Sequence, residues 1–372
     1  MKYAGSGGYN IMEMFEILRH AVEKGASDIH IVIGKPPMAR VRGTIVPMEG
    51  FPEVTPEESK RLIYSVLYED QRRKFEEKYE LDCSTVIPKV ARFRVNVFMQ
   101  RNGVEAVLRV IPSKIPGPEE IFLPEMIVKL ADLPRGLVLV TGPTGSGKST
   151  TLACIMNIIN QKRKDNIITI EDPIEFVYEH AGCIVRQREV GQHTHSFASA
   201  LKYALRQDPD VILVGEMRDL ETISAALTIA ETGHLVFGTL HTSDAAQTID
   251  RIIDVFPPHQ QQQIRIQLAS TLKTVISQVL LPRKDILGRI AAREIMIVTP
   301  AIANLIREGK THQIYNAIET GAKYGMIGLD KALIELVKAQ MVSQEDAVSK
   351  ASNPEFVRTG GRLVSTTAAP RM

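Results

Sequence analysis

The sequence predicts an α/β protein in which a parallel sheet is covered on both faces by helices, preceded by a smaller α+β domain. Three observations carry that expectation. Short continuous apolar runs at 137–140, 167–170, 211–214 and 235–237 alternate with helix-forming stretches, the pattern of strands buried on both faces. Residues 111–124 hold four prolines and a glycine and mark a linker between two differently patterned regions. The chain's 372 residues also exceed one ordinary domain of roughly 100–200 residues.

Element by element, Ile11, Met14, Phe15, Leu18 and Val22 follow helical spacing, Gly25 ends that helix, and Ile29, Ile31 and Ile33 alternate with Asp28, His30 and Val32 as a half-buried strand. Thr55-Pro56-Glu57-Glu58 is a capping box that opens a second helix. Phe93, Val95 and Val97 alternate with polar residues, and 104–111 gives a second strand across an Asn102-Gly103 turn. In that register Asn96 faces Arg109, Arg94 lies diagonal to it, and the two arginines share one face. That face is either solvated surface or a source of positive charge. Beyond the linker, 257–341 reads as mainly helical, with Ile264, Leu268, Leu272, Ile276 and Val279 on one side. The expected divisions are an N-terminal domain over 1–111, a linker over 112–124, a core over 125–290, a helical extension over 291–352 and a Gly/Ser/Thr/Ala-rich mobile tail over 353–372.

With 44% hydrophobic and 24% charged residues, the composition is that of a globular protein and not of a disordered one. No apolar run reaches the roughly 18 residues of a spanning helix. The opening MKYAGSGGYN lacks an apolar core, so a cytoplasmic location is expected. Cys83, Cys154 and Cys183 fit no CxxC pattern and read as reduced thiols. A net charge of +2 supplies no global field for nucleic acid, and none is expected as a partner.

The chemistry begins at Gly142-Pro143-Thr144-Gly145-Ser146-Gly147-Lys148-Ser149, which fits the phosphate-binding P-loop at every specified position between an apolar strand and a helix. Its glycines let N–H groups turn toward phosphates, Lys148 brings charge to the β and γ oxygens, and Ser149 can ligate Mg²⁺. Strand 211–214 ends in Gly215-Glu216. Most P-loop enzymes carry an aspartate where Gly215 stands, so a metal here depends on Ser149, phosphate oxygens and water. Glu216 is then the candidate to polarise the attacking water, or simply a carboxylate that ends a strand. Glu171, Asp172 and Glu175 close another strand at the same edge. His234 and His241 bracket a strand whose seven steps separate them by roughly 23 Å. They cannot share one ion; His241 belongs at the phosphate edge and His234 at the other. His193 and His195 have no third ligand nearby in the sequence.

Taken together, TGPTGSGKSTTLA, ITIEDPIE, LRQDPDVILVGEMRD, TGHLVFGTLHT, AIANLIREGKTHQI and an early ASDIHI resemble the Walker A, Asp box, Walker B, His box and C-terminal signature of the type II/type IV secretion ATPases, most of all those that retract type IV pili. The resemblance runs from about Tyr9 to about Ala351. It implies a PAS-like N-terminal domain, a RecA-like P-loop ATPase domain with a helical C-terminal extension, and a homohexameric ring that binds ATP and Mg²⁺. It assigns catalysis to Glu216, Glu175 of the Asp box, His234 and His241 of the His box, and N-terminal arginines matching Arg94 and Arg109. Nucleotide binding falls to Gly142, Thr144, Gly145, Ser146, Gly147, Lys148, Ser149 and Thr150. The implied partner is an inner-membrane pilus platform, met from its cytoplasmic face. Relatives that assemble pili or drive type II secretion commonly carry an extra N-terminal region and a four-cysteine motif, and with AIANLIRE their absence points to retraction. The competing expectations are an assembly or type II secretion ATPase, a DNA-translocating motor, and a nucleotide-gated scaffold without turnover.

Overall fold

The computed structural model describes residues 13–111 and 114–362. Chain contacts divide it into two units, one up to Lys114 and one from Ile115. In the first, α1 (Met14–Glu23) turns Met14, Ile17, Leu18 and Ala21 inward. Phe15, expected on that face, is 42% exposed, and Ile11 lies outside the described residues. Gly25 reverses the chain at φ +70°, a region that glycine enters without a steric penalty. Then come β1 (Ala26–Ile31), β2 (Met38–Val41) and β3 (Thr44–Pro47). Helix α2 (Pro56–Ser65) opens on the expected capping box, in which Thr55 Oγ1 accepts from the Glu58 N–H and the Glu58 carboxylate accepts from the Thr55 N–H, both at 3.2 Å. After α3 (Glu69–Lys78), β4 (Glu80–Ile87), β5 (Ala91–Gln100) and β6 (Gly103–Ile111) complete an antiparallel sheet ordered β3-β2-β1-β6-β5-β4. Ile29, Ile31, Phe93, Val95, Val97 and Leu108 meet Leu18 and Leu62 of the helices in its core.

The hairpin register departs from the expected one. Gln100 pairs with Gly103, which makes Arg101-Asn102 the loop and places Arg94 directly opposite Arg109. The positive φ falls on Gly103 and the Gln100 side chain accepts from the Asn102 N–H at 3.0 Å, so the turn closes one residue earlier. Because the shift moves each cross-strand partner by two residues, the shared face survives.

The second unit runs through α4 (Glu125–Val128), β7 (Gly136–Thr141), α5 (Lys148–Lys162), β8 (Asn166–Glu171), β9 (Ile184–Glu189) and α6 (Phe197–Ala204). It continues with β10 (Val211–Val214), α7 (Leu220–Glu231), β11 (Leu235–Leu240), α8 (Ala245–Asp254), α9 (Pro258–Thr271), β12 (Leu272–Pro282) and β13 (Arg289–Ile297). Helices α10 (Pro300–Arg307), α11 (Ile314–Glu319), α12 (Leu329–Lys338), α13 (Gln344–Lys350) and α14 (Pro354–Arg358) follow. The sheet order is β13-β12-β7-β11-β10-β8-β9, parallel except for β13. Both faces are covered. Leu137 and Leu139 of β7 pack into one core with residues of α6 to α11, while Val138 and Val140 pack into another with residues of α4 and α5.

Three expectations are corrected here. The span 257–341 is not mainly helical through its middle: Leu272, Ile276 and Val279 lie on β12, where helix-like spacing is a coincidence of apolar residues buried on two faces. A boundary at 290 cuts β13, which belongs to the core sheet up to Ile297. The tail does not begin at 353, because α14 is capped by Asn353 and anchored by Asp330, which accepts from the Ser352 and Asn353 N–H groups at 2.7 and 2.8 Å; 363–372 lie outside the described residues. No helix among the described residues is long and apolar enough to cross a membrane.

Candidate functional site

The loop between β7 and α5 forms a cradle because its glycines take conformations other residues resist. Gly142, Gly145 and Gly147 have φ of +136°, +77° and +89°. A Cβ on Gly142 would lie 2.2 Å from the Gln278 carbonyl oxygen and 2.7 Å from Ser146 Oγ, so only glycine fits. Helix α5 has no acidic residue in its first turn, leaving its partly positive N-terminus unopposed and suited to phosphate. Lys148 Nζ donates to the carbonyls of Gly142 and Pro143 at 2.7 and 3.1 Å. Burial pulls the Lys148 ammonium below its ordinary pKa, with Glu216 and Glu175 pulling the other way. Those charges therefore act on the same site. Ser146 is buried, Ser149 and Thr150 are half-buried and Thr144 is exposed.

Glu216 emerges just past β10, two strands from β7 in the sheet. Its carboxylate accepts from Arg218 Nε and lies 2.9 Å from His241 Nε2. His241 is placed there because β11 runs parallel to β10 and ends at Leu240. The missing aspartate before Glu216 has a packing reason. A Cβ on Gly215 would come within 3.1 Å of Glu171 Cα and the Ile170 carbonyl, leaving little room for a side chain there.

Of the other acidic residues, Glu175 and Asp172 are exposed, but Glu171 turns inward. It accepts from Thr169 Oγ1, Gln187 Nε2 and the Glu175 N–H at 2.6, 3.2 and 3.4 Å, and burial pushes its pKa up to about 6 despite those bonds. It braces the Asp-box turn. His234 does not join the cluster: it sits before β11, at the far edge of the sheet, with Nδ1 3.1 Å from the Ile229 carbonyl at the end of α7. His193 is likewise occupied, with Nδ1 accepting from the Glu189 N–H at 3.0 Å.

In the first unit Arg94 and Arg109 are both exposed. Arg109 Nε donates to Asp28 Oδ1 at 2.8 Å, and Arg40 stands 3.7 Å from the other oxygen. Burial works against ionisation of Asp28, yet Arg109 and its neighbours hold the pKa below the ordinary value. A row of three arginines, Arg40, Arg109 and Arg94, thus crosses β2, β6 and β5 with one carboxylate among them.

Three residues of the second unit escaped the sequence reading. Arg218 was legible in principle, two places after Glu216 in the same motif. Gln278 and Glu294 are polar side chains inside apolar strands, which is the only local sign of either. Glu294 is 4% exposed and accepts from the Ala245 N–H at the start of α8 at 2.8 Å, which fixes the far end of the loop carrying His241. Burial pushes its pKa from near 4.5 to about 7, with Asp244 adding to the rise. The folded state therefore binds more protons than the unfolded state between those values, and stability falls as pH rises through them, by up to about 3 kcal/mol. Glu294→Gln keeps an acceptor for Ala245 without the charge. Its melting temperature should exceed that of the parent at pH 8, and the gain should shrink by pH 5 and vanish only below the unfolded pKa of 4.5. A difference that does not vary between pH 5 and 8 would assign the effect to packing.

Residues 9–336 match the family described as Type II/IV secretion system protein. The chain is 53% identical over 344 residues to the type IV pilus retraction ATPase PilT of Pseudomonas aeruginosa, covering 92% of this chain and 99% of that one. It is 51% identical over 319 residues to a twitching motility protein of Neisseria gonorrhoeae, covering 86% and 85%. Among solved structures, the pilus retraction motor PilT with bound ADP superimposes with a TM-score of 0.88 at 48% identity, over 94% of this chain and 99% of that one. Matches of this extent and identity, with the loop and strand-end residues in place, make the chain a member of the type II/IV secretion ATPase family.

Proposed function

We propose that this protein is an ATP-hydrolysing motor that powers type IV pilus retraction and twitching. The observation that supports the reading most is the near full-length 53% identity to a retraction ATPase, in a chain whose P-loop lysine shares its electrostatic environment with Glu216 and Glu175.

The β and γ phosphates of ATP sit in the cradle of Gly142, Gly145 and Gly147, with Lys148 leaving its two carbonyl partners to meet them. Thr144, Ser146, Ser149 and Thr150 line the same turn. Ser149, one residue into α5, would hold Mg²⁺, which supplies positive charge to the phosphate oxygens. Glu216 orients the attacking water and takes its proton. His241 and Arg218 fix the carboxylate's direction, and Glu175 adds a second acidic group at the edge. His234 is left out of this mechanism on geometric grounds.

Turnover is coupled to interdomain motion in a ring of six copies. The ring works at the cytoplasmic face of the inner membrane against a platform protein, and touches the membrane only through that partner. Arg94 and Arg109 neutralise developing phosphate charge, reaching the site of a neighbouring subunit. Deletion in a piliated cell tests the direction: excess pili with lost twitching is expected, while loss of pili would mean that the motor assembles them.

A further inference from the structure

Gln278 lies on β12, 1% exposed, with both ends of its amide in use. Nε2 donates to the Ser146 carbonyl at 2.7 Å, and Oε1 accepts from Thr151 Oγ1 at 3.0 Å. The approach is close on both sides: a Cβ built on Gly142 would lie 2.2 Å from the Gln278 backbone carbonyl oxygen, and one built on Gly147 3.2 Å from its side-chain Nε2. One residue earlier, Ser277 Oγ and Thr141 Oγ1 share a hydrogen bond of 2.8 Å. A single residue from a strand 132 positions away in sequence therefore touches the start of the phosphate loop, its end and the first turns of α5.

The geometry points to Gln278 as a positioning residue for the P-loop, setting the orientation of the peptide that joins Ser146 to Gly147. Drawing the Ser146 carbonyl back toward β12 keeps that acceptor off the phosphates and turns the following N–H toward them. Tying the same amide to Thr151 fixes the loop against the helix whose N-terminus completes the cradle. A fully buried glutamine is costly unless both its donor and its acceptor are satisfied. Here each partner belongs to the loop or to α5, and catalytic geometry of this kind depends on such supporting contacts. The assignment rests on the nucleotide-binding reading above, and the experiment separates the two.

The measurement is ADP affinity of the full chain, with melting temperature taken without nucleotide. Gln278→Ala should weaken ADP at least about tenfold while the protein remains folded. Thr151→Val, which removes only the donor to Oε1 and keeps the shape, should weaken it about threefold or more. Gln278→Glu still accepts from Thr151 but repels the Ser146 carbonyl when ionised and donates to it when protonated. Its deficit relative to the parent chain should therefore be large at pH 8 and shrink at pH 6, a response that a packing role would not give. ADP affinities within twofold of the parent for Thr151→Val and for Gln278→Glu at both pH values would overturn the assignment, even if Gln278→Ala failed to fold. A parent chain that binds no ADP would overturn the nucleotide reading itself.

Discussion

Glu216→Gln should bind ATP with close to the parent affinity and hydrolyse it at least about tenfold more slowly. Arg218 and His241 both meet the carboxylate at Oε1, so that oxygen is held by two partners and the amide will occupy nearly the same volume. What the amide lacks is basicity. It can accept a hydrogen bond from water but cannot take the proton as the oxygen attacks, and each tenfold loss corresponds to about 1.4 kcal/mol of barrier. The measurement is single-turnover hydrolysis beside equilibrium nucleotide binding. Equal losses in both would show that Glu216 holds the metal, the duty of the aspartate that Gly215 has no room to carry. His241→Ala should slow turnover less than Glu216→Gln, since removing it frees the carboxylate's direction without removing the base.

The distinction between what the sequence showed and what it hid follows the range of the interactions. Strands β7, β8, β10 and β11 were legible because continuous apolar runs need two covered faces. The phosphate loop was legible because its glycines and lysine are contiguous, and His241 because one strand carries it to the edge. β12 was misread because its polar residues, Thr274, Ser277 and Gln278, are buried. For Ser277 and Gln278 the reason lies in partners more than 120 residues away, which no local window contains. The hairpin register was missed for a smaller reason: the choice between two loops one residue apart was made by the Gln100 side chain and the φ of Gly103. Asp28 was placed on a polar strand face, and only the sheet order reveals that it lies opposite Arg109 and Arg40. His234 was already placed at the opposite edge by strand length; only the family resemblance grouped it with His241, and the structure keeps it at the end of α7.

Lys148→Ala should reduce ATP turnover to background, at least about a hundredfold, because no other cation of the loop faces the β and γ oxygens. The fold should survive, since the Lys148 ammonium hydrogen-bonds to two carbonyls of its own loop, and an unchanged melting temperature checks this. Unchanged turnover would remove the P-loop from the mechanism. The same variant then tests where Arg109 acts. Arg109→Ala leaves Asp28 with Arg40 at 3.7 Å, so a purely structural arginine predicts a lower melting temperature with turnover intact. An arginine that serves the phosphate predicts lost turnover, and one that serves a neighbour's phosphate predicts recovery on mixing. When inactive Arg109→Ala and Lys148→Ala proteins exchange subunits at equal amounts, one half times one half, or roughly a quarter, of the interfaces join an intact loop to an intact arginine. Activity should reappear at about that fraction of the parent rate. If the arginine serves its own subunit, every site in the mixture keeps one defect and no recovery follows despite verified exchange. Arg94, which faces Arg109 across the ladder, calls for the same mixture. Full activity of both single variants and of the double variant would return the pair to a solvated face.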